Sequence, residues 1–383
     1  MLLAVPFVII FRFLKPWKLI RFGYFTVDRI GHFAFDVEYF LSERTLEVHP
    51  SQMVDLFFFE GRPANSQLKQ MCKNLLFVSS IVRYLYMANQ LIPGGETHRI
   101  SPARHNTASR DKSGVFHKVP TQMCFTCEED QRGSNYLSSV GCLDKNRLIC
   151  LVVRDSAYLS QTQTGRDWSY HDFRDTRIED YEDTILALAK KGYWVFRMGK
   201  VVGNPLTINH PRVIDYALTE HRSDFLDIWL MANCRFAIST GVGLDSVADI
   251  FRRPQVFVNY LPLIDMEAWG YYITVPKILI WSKSGRPLTF LEQAQHSSVN
   301  GHYYRENGID VQDLSSNDIT RVVLEMEARL AGTWKITEGD KRLHKDFWTQ
   351  FRRMPNFSKY HGWIHDEARV GTYYLQNSNN MFV

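Results

Sequence analysis

The sequence predicts an α/β protein of two parallel-sheet units, on three observations. Strand-like apolar runs alternate with helical runs through both halves of the chain, as in parallel sheets covered by helices. The stretch from Ala237 to Asn259 reads as strand, glycine loop, helix and second strand without a break. At 383 residues the chain is long enough for two such domains, or for one large domain with extensions.

Composition narrows the function classes. A net charge of +4 gives no ground for a nucleic-acid partner. Six cysteines are too few for a disulfide framework, which points to a reducing compartment. Cys124 and Cys127 have CxxC spacing, but no second CxxC or HxxxH follows, so thiols rather than a zinc site are expected. No metal or cofactor is expected elsewhere.

Residues 1–18 form the first segment, where the apolar run MLLAVPFVIIF is followed by Arg12, Lys15, Lys18 and Arg21, with Trp17 among them. A bilayer-spanning helix needs about 20 apolar residues, and a secretory signal carries its charge ahead of the apolar core. The order found here suits a segment lying in the interface of an anionic membrane, or a terminal helix packed on its own domain. A cytoplasmic location is expected, either free or peripheral on the inner face of the cytoplasmic membrane.

The first domain, residues 19–144, opens with strand IRFGYF, a turn at Arg29 to His32 and a helix over 33–44. Strand DLFFFEG with helix SQLKQMCKN, and strand LFVSS with helix IVRYLYMANQLI, continue the alternation. Ligands of such sheets sit at the carboxyl ends of the strands, where Gly31 and His32 fall. His32, with Asp36 and Glu38 about a turn further on, has the chemistry of a general base, or caps and packs the helix. Residues 93–122 read as a long surface loop, solvated or reaching over a cleft. A short helical segment near FTCEEDQRGSNYLSSVG leads to a boundary at Gly141 to Lys145.

The second domain, residues 145–330, begins with RLICLVVRD, whose apolar run ends in Arg154 and Asp155. A guanidinium there can clamp phosphate oxygens with two hydrogen bonds, or pair with Asp155 to hold a loop. After a polar loop over 156–172 come Arg174, Asp175 and Thr176, the last a candidate N-cap with Glu179 three residues on. Strand YWVFRMGK ends near Arg197; Asn209 and His210 precede another turn; Ser223 caps the helix leading to RFAIST. Gly241 and Gly243 leave the next helix N-terminus bare, with Thr240, Leu244, Asp245 and Ser246 around it, an arrangement that favours an anion. Together with Arg154 and Arg197 this makes a cationic, hydroxyl-lined edge fit for a diphosphate, and Asn259 ends the following strand beside it. Residues from Tyr260 through about 293 read as an aromatic loop, 319–330 as a helix, and 331–383 as a helical tail returning to the first domain.

The runs RIGHFAFDVEYFL, VVRDSAYL, FRDTRIEDY, GYWVFRMGK, NHPRVIDY, the block from Ser223 to Pro262, LTFLEQ and ARVG together resemble a bacterial family of glycosyltransferases associated with surface-polysaccharide and lipopolysaccharide clusters. The resemblance covers nearly the whole chain. It implies a GT-B-like fold, two Rossmann-like domains facing across a cleft, with a nucleotide-sugar donor on the second and a glycan or lipid-linked glycan acceptor on the first. A looser similarity to fucosyltransferase-like enzymes makes Arg154 the residue that holds the donor diphosphate. The family pattern has Asn where this chain has Asp36, which moves the expected base to His32, with Glu38 next. The implied reaction is metal-independent glycosyl transfer; pyruvyl transfer onto a polysaccharide and a non-catalytic assembly role at the membrane are the alternatives.

Overall fold

A computed structural model of the chain describes residues 2–46, 52–100, 109–155, 157 and 169–377. Most of the polar loop expected at 156–172, and residues 101–108 of the loop expected at 93–122, lie outside the described residues.

The first sheet has three parallel strands in the order β1 (Leu19–Thr26), β2 (Met53–Glu60), β3 (Phe77–Val78). Side chains alternate across it. Phe25 and Phe57 face the helix Ile30–Thr45, whereas Phe22 and Phe58 face the helix Ile81–Leu91, so both faces are covered. The turn expected at Arg29 to His32 is already helical from Ile30, which puts Gly31 and His32 in the first turn of a helix that no side chain caps.

The second unit supplies β4 (Leu148–Val152), β5 (Trp194–Met198), β6 (Val213–Ile214), β7 (Phe236–Ser239), β8 (Gln255–Tyr260), β9 (Tyr272–Pro276), β10 (Ile278–Trp281), β11 (Ile309–Gln312) and β12 (Arg369–Val370). β10 and β11 pair antiparallel. The other seven make one parallel sheet in the order β12-β9-β8-β7-β4-β5-β6. Leu148, Cys150 and Val152 of β4 enter the core on one face, Ile149 and Leu151 the core on the other. A parallel sheet buried on both faces gives unbroken apolar runs, which is why β4, β5, β7 and β8 stand out in the sequence. The aromatic loop expected after Tyr260 instead contains β9 and β10. All five residues of β9 are buried, but they form a short run after Gly270, ending in Pro276 and set among aromatic residues, which reads as loop as readily as strand. The expected Thr176 cap is also absent: Thr176 Oγ1 accepts from Asn259 Nδ2 at 3.2 Å, and Ile178–Tyr181 form a 3-10 turn ahead of the helix Glu182–Lys190.

The two units share one core. Phe25, Phe33 and Phe57 of the first belong to the same buried cluster as Cys150, Val152 and Ala237 of the second. The helix Ile30–Thr45 packs directly on the helix Asp245–Ile250. At this contact a Cβ on Gly31 would lie 3.1 Å from the Gly243 Cα, so a side chain at either position would push the facing residues back by a few tenths of an ångström. The helix Cys127–Ser139, opened by a Thr126–Glu129 capping box, packs on the helix Asp224–Asn233, with Trp229 Nε1 donating to Asp130 Oδ1 at 2.9 Å.

The C-terminal segment runs from the helix Glu338–Phe351 past residues 110–117 and back to the main sheet. Trp363 N donates to Lys112 O at 2.8 Å, and the Trp363 ring closes over Gly114. His361 is buried beside Phe351 and Phe357, and its Nε2–H donates to Ile264 O at 2.7 Å. Burial, aided by the Arg110 and Lys112 charges, lowers its pKa to about 4. The unfolded chain therefore binds a proton at His361 at a higher pH than the folded chain, so this stabilising contribution is complete above the ordinary histidine range and is lost as pH falls toward 4. The stability difference between the parent and His361→Gln is expected to shrink over that window by up to about 1.4 kcal/mol per pH unit, read from urea melts at successive pH values.

At the other end, the helix Val5–Phe13 packs Val8 against Ala88 of the helix Ile81–Leu91. Arg12 is not a free cation: its guanidinium donates to Ile92 O at 2.9 Å, Pro93 O at 2.7 Å and the Asn89 side chain, satisfying carbonyls at the end of that helix. Arg21 pairs with Asp55 at 2.7 Å. Among the described residues no helix is long and apolar enough to cross a membrane.

Candidate active site

The strand order fixes where a ligand can bind. From β4 the chain moves outward to β5 and β6, then returns to β7 on the other side of β4 and moves outward again through β8 and β9. The loops leaving β4 and β7 therefore diverge, opening a crevice at their carboxyl ends. The carboxyl ends of β1 and β2 face the same space. The result is a cleft of about 490 Å³ lined from the first unit by Arg29, Gly31, His32 and Ser109, and from the second by Arg154, Asp155, Arg174, Lys200 and the loop Gly241 to Ser246.

Two guanidinium groups lie side by side on the second unit's wall. Arg154, just beyond β4, donates from Nε to Asp175 Oδ1 at 3.1 Å. Arg174 donates from Nη2 to Gly241 O at 2.6 Å. Burial, then the adjacent Arg174 charge, lower the Arg154 pKa, while the Asp175 and Asp172 carboxylates oppose the shift. A planar guanidinium here has the geometry to grip phosphate oxygens.

The glycine loop is held by its own residues. Asp245 is buried and accepts from Ser239 Oγ at 2.8 Å and Val242 N at 2.6 Å, while Gly241 N donates to Ser239 Oγ at 3.1 Å. Burial pushes the Asp245 carboxyl up to about 6. Asp245 is thus a brace rather than a ligand group, and the N–H groups of Gly241 and Val242 are already used. The helix that follows is only six residues long. Two of the loop's N–H groups thus serve its own folding, no side chain caps the helix at Leu244, and the two arginines stand beside the loop in the cleft. Gly241 itself is required, because φ is 76° and a Cβ would sit 2.8 Å from the Tyr260 ring.

The facing wall carries a hydrogen-bond chain. The Ser109 hydroxyl donates to Asp36 Oδ1 at 2.8 Å, and its oxygen lies 2.5 Å from His32 Nδ1. A hydroxyl has one proton, here directed at the carboxylate, so it accepts from Nδ1–H and the neutral ring keeps its lone pair on Nε2. His32 and Asp36 are four residues apart on one helix and so share a face. Ser109 holds φ at 58°, a conformation that costs a residue with a Cβ about 1 kcal/mol. No signal in the sequence of the loop marks Ser109. Arg110 and Glu267 also line the cleft without having been expected there; burial, then the Asp245 and Asp249 charges, raise the Glu267 carboxyl and favour its neutral acid form. With Asp28, Asp224, Asp227 and Asp265 also present, the cleft mixes both signs of charge rather than presenting a uniformly cationic edge.

Several expected site residues are placed elsewhere. Glu38 is fully buried between the units, where it accepts from Gln122 N at 2.9 Å, Met123 N at 2.9 Å and Arg252 Nη2 at 2.9 Å, which removes it as a base. It fastens the first unit to the second. Glu38→Gln is expected to lower unfolding free energy by about 3 kcal/mol, by analogy with a broken buried ion pair, yet leave kcat within a few-fold when assayed well below the melting temperature. Arg197 is buried and donates to Asn204 O and Asp215 Oδ1, bracing the loop after β5. Thr240 Oγ1 accepts from Arg154 N at 3.0 Å, Asn259 Oδ1 accepts from Leu314 N at 2.7 Å, and both are buried. Asp175 acts through Arg154, and Asp155 accepts from Gly203 N at 3.0 Å at the cleft margin. His210 accepts from Arg212 N in a turn away from the cleft lining. Cys124 and Cys127 are exposed free thiols, and among the described residues no His, Cys, Asp and Glu cluster is placed to hold a metal ion.

No protein-family model matches the chain, and no curated protein matches it. Among solved structures it is similar to the family 9 glycosyl transferase from Veillonella parvula, at 12% identity and a TM-score of 0.44 over 68% of this chain and 86% of that one. It is similar to an E. coli heptosyltransferase with ADP-2-deoxy-2-fluoro heptose, at 12% identity and a TM-score of 0.39 over 67% and 93%. It is also similar to the E. coli ADP-heptose lps heptosyltransferase II, at 13% identity and a TM-score of 0.35 over 67% and 90%. No residue role is carried across similarities of that size.

Proposed function

We propose that the chain is a glycosyltransferase that moves a sugar from a nucleotide-sugar donor to an acceptor hydroxyl during assembly of a bacterial surface glycan. The observation that carries this reading is the pair Arg154 and Arg174 at the crevice between β4 and β7, with the His32–Ser109–Asp36 chain on the opposite wall. In the reaction, the bond from the sugar's anomeric carbon to the diphosphate breaks and a bond from that carbon to the acceptor oxygen forms. The acceptor proton goes to His32 Nε2, and Ser109 with Asp36 holds the ring in the required tautomer. Negative charge builds on the leaving diphosphate, where the two guanidiniums meet it. The glycan or lipid-linked glycan acceptor enters from the first unit's side.

Thermal melting against a panel of nucleoside diphosphates, with and without magnesium, tests the reading. One nucleotide should stabilise the protein, by about 2.7 kcal/mol at one hundred times its dissociation constant, and should do so without magnesium. The shift should vanish in Arg154→Ala. A shift with phosphoenolpyruvate and none with any nucleotide would move the assignment to pyruvyl transfer. No shift with any of them would end the transferase reading.

A further inference from the structure

We infer that the outer face of the first unit, formed by the helices Val5–Phe13 and Ile81–Leu91, is a docking surface for an anionic lipid bilayer. Leu3, Phe7, Ile10, Leu14 and Trp17 are spaced alternately by four and three residues and form one exposed stripe. Leu3 is 88% exposed, Trp17 74% and Phe7 57%. On the neighbouring helix Ile81, Tyr84, Met87 and Leu91 form a second exposed stripe, and Phe77 just before it is 60% exposed. These are not residues left over from internal packing, since Val8 and Ala88 already fill the contact between the two helices and Phe11 packs on the Phe22 and Phe58 cluster. Two adjacent helices that are apolar outside as well as inside mark an interaction surface.

The charge around this face selects its occupant. Residues 1–27 and 76–95, which hold both helices, carry five Lys and Arg and no acidic residue. Arg12 and Arg21 are engaged internally, whereas Lys15, Lys18 and Arg83 are exposed. A second copy of the chain docked on this face would bring cation against cation. Anionic headgroups would instead neutralise them while the acyl region takes up the apolar stripes, with Trp17 and Tyr84 suited to headgroup depth. The helix Val5–Phe13 is too short to cross, so it lies in the plane of the surface. The face lies on the opposite side of the first sheet from the helix Ile30–Thr45, so docking leaves the cleft open. The inference does not depend on the transfer reaction.

Co-sedimentation of the full chain with vesicles of phosphatidylcholine alone, and of phosphatidylcholine with about a third phosphatidylglycerol, tests it. Binding is expected on the mixed vesicles. It should fall about tenfold or more on phosphatidylcholine alone, at high salt, in Phe7→Ser/Ile10→Ser/Trp17→Ser and in Lys15→Glu/Lys18→Glu/Arg83→Glu. Leu143→Ser, an exposed leucine away from this face, should bind as the parent does, and every variant should keep the parent's melting temperature and its response to nucleotide. Absence of binding to either vesicle would overturn the inference, as would undiminished binding by the apolar triple variant. A parent dimer in sedimentation velocity, converted to monomer by that variant and indifferent to vesicles, would assign the face to a second copy instead.

Discussion

Arg154→Ala is expected to lower kcat/KM by about 10²- to 10³-fold while the protein stays folded. The leaving diphosphate gains charge in the transition state, and a guanidinium already in place stabilises it without reorganisation. The structural cost is small by comparison, because Asp175 is 23% exposed and can recover water when its partner is removed, a loss of about 1 kcal/mol. Arg154→Lys separates charge from shape: a lysine keeps the positive charge but not the planar fork, so activity between parent and alanine variant is expected. Arg174→Ala should fall in the same range with an added effect on the loop, since Gly241 O loses its donor. Steady-state kinetics beside a melting curve for each variant gives the answer; unchanged turnover in Arg154→Ala would remove the residue from the site.

The second large effect is expected at the opposite wall. His32→Ala should lower kcat by about 10²- to 10⁴-fold at saturating acceptor, because the group positioned to take the acceptor proton is removed. Ser109→Ala and Asp36→Asn keep the imidazole but release its orientation, and losses of about tenfold are expected for each. The informative variant is the double one. If Ser109 acts only through His32, His32→Ala/Ser109→Ala should be no slower than His32→Ala alone, since linked residues are not additive. Additive losses would show that Ser109 meets the acceptor itself. Nucleotide-induced stabilisation should persist in all three single variants, which separates donor binding from proton transfer.

Much of this arrangement is legible in the sequence because it is local. β4, β5, β7 and β8 announce themselves as buried runs, and the point where Arg154 leaves β4 follows from the abrupt end of one such run. The pairing of His32 with Asp36 is also local, a spacing of four on one helix. The same geometry excludes Glu38, two residues beyond Asp36 and so on another face of that helix. What the sequence hides depends on distant partners. Ser109 meets Asp36 across 73 positions and Arg252 meets Glu38 across 214, and neither residue carries a mark of its role in its own neighbourhood. Arg197 shows the converse error. It sits within β5, opposite Leu151 of β4, whereas Arg154 lies past the strand end, and a cation inside a buried strand is consumed by the fold.

The close approach of Gly31 and Gly243 sets how near the two units stand at the base of the cleft. The two units meet there with only the Ser246 and Ile30 side chains alongside, and the ion pair of Glu38 and Arg252 joins the helix Ile30–Thr45 to the residues just after the helix Asp245–Ile250. That contact fixes the base from which the arginine wall and the histidine wall rise on either side of the cleft. An alanine at either glycine would act as a shim of a few tenths of an ångström, holding the walls apart at the moment when the transferred group must touch both.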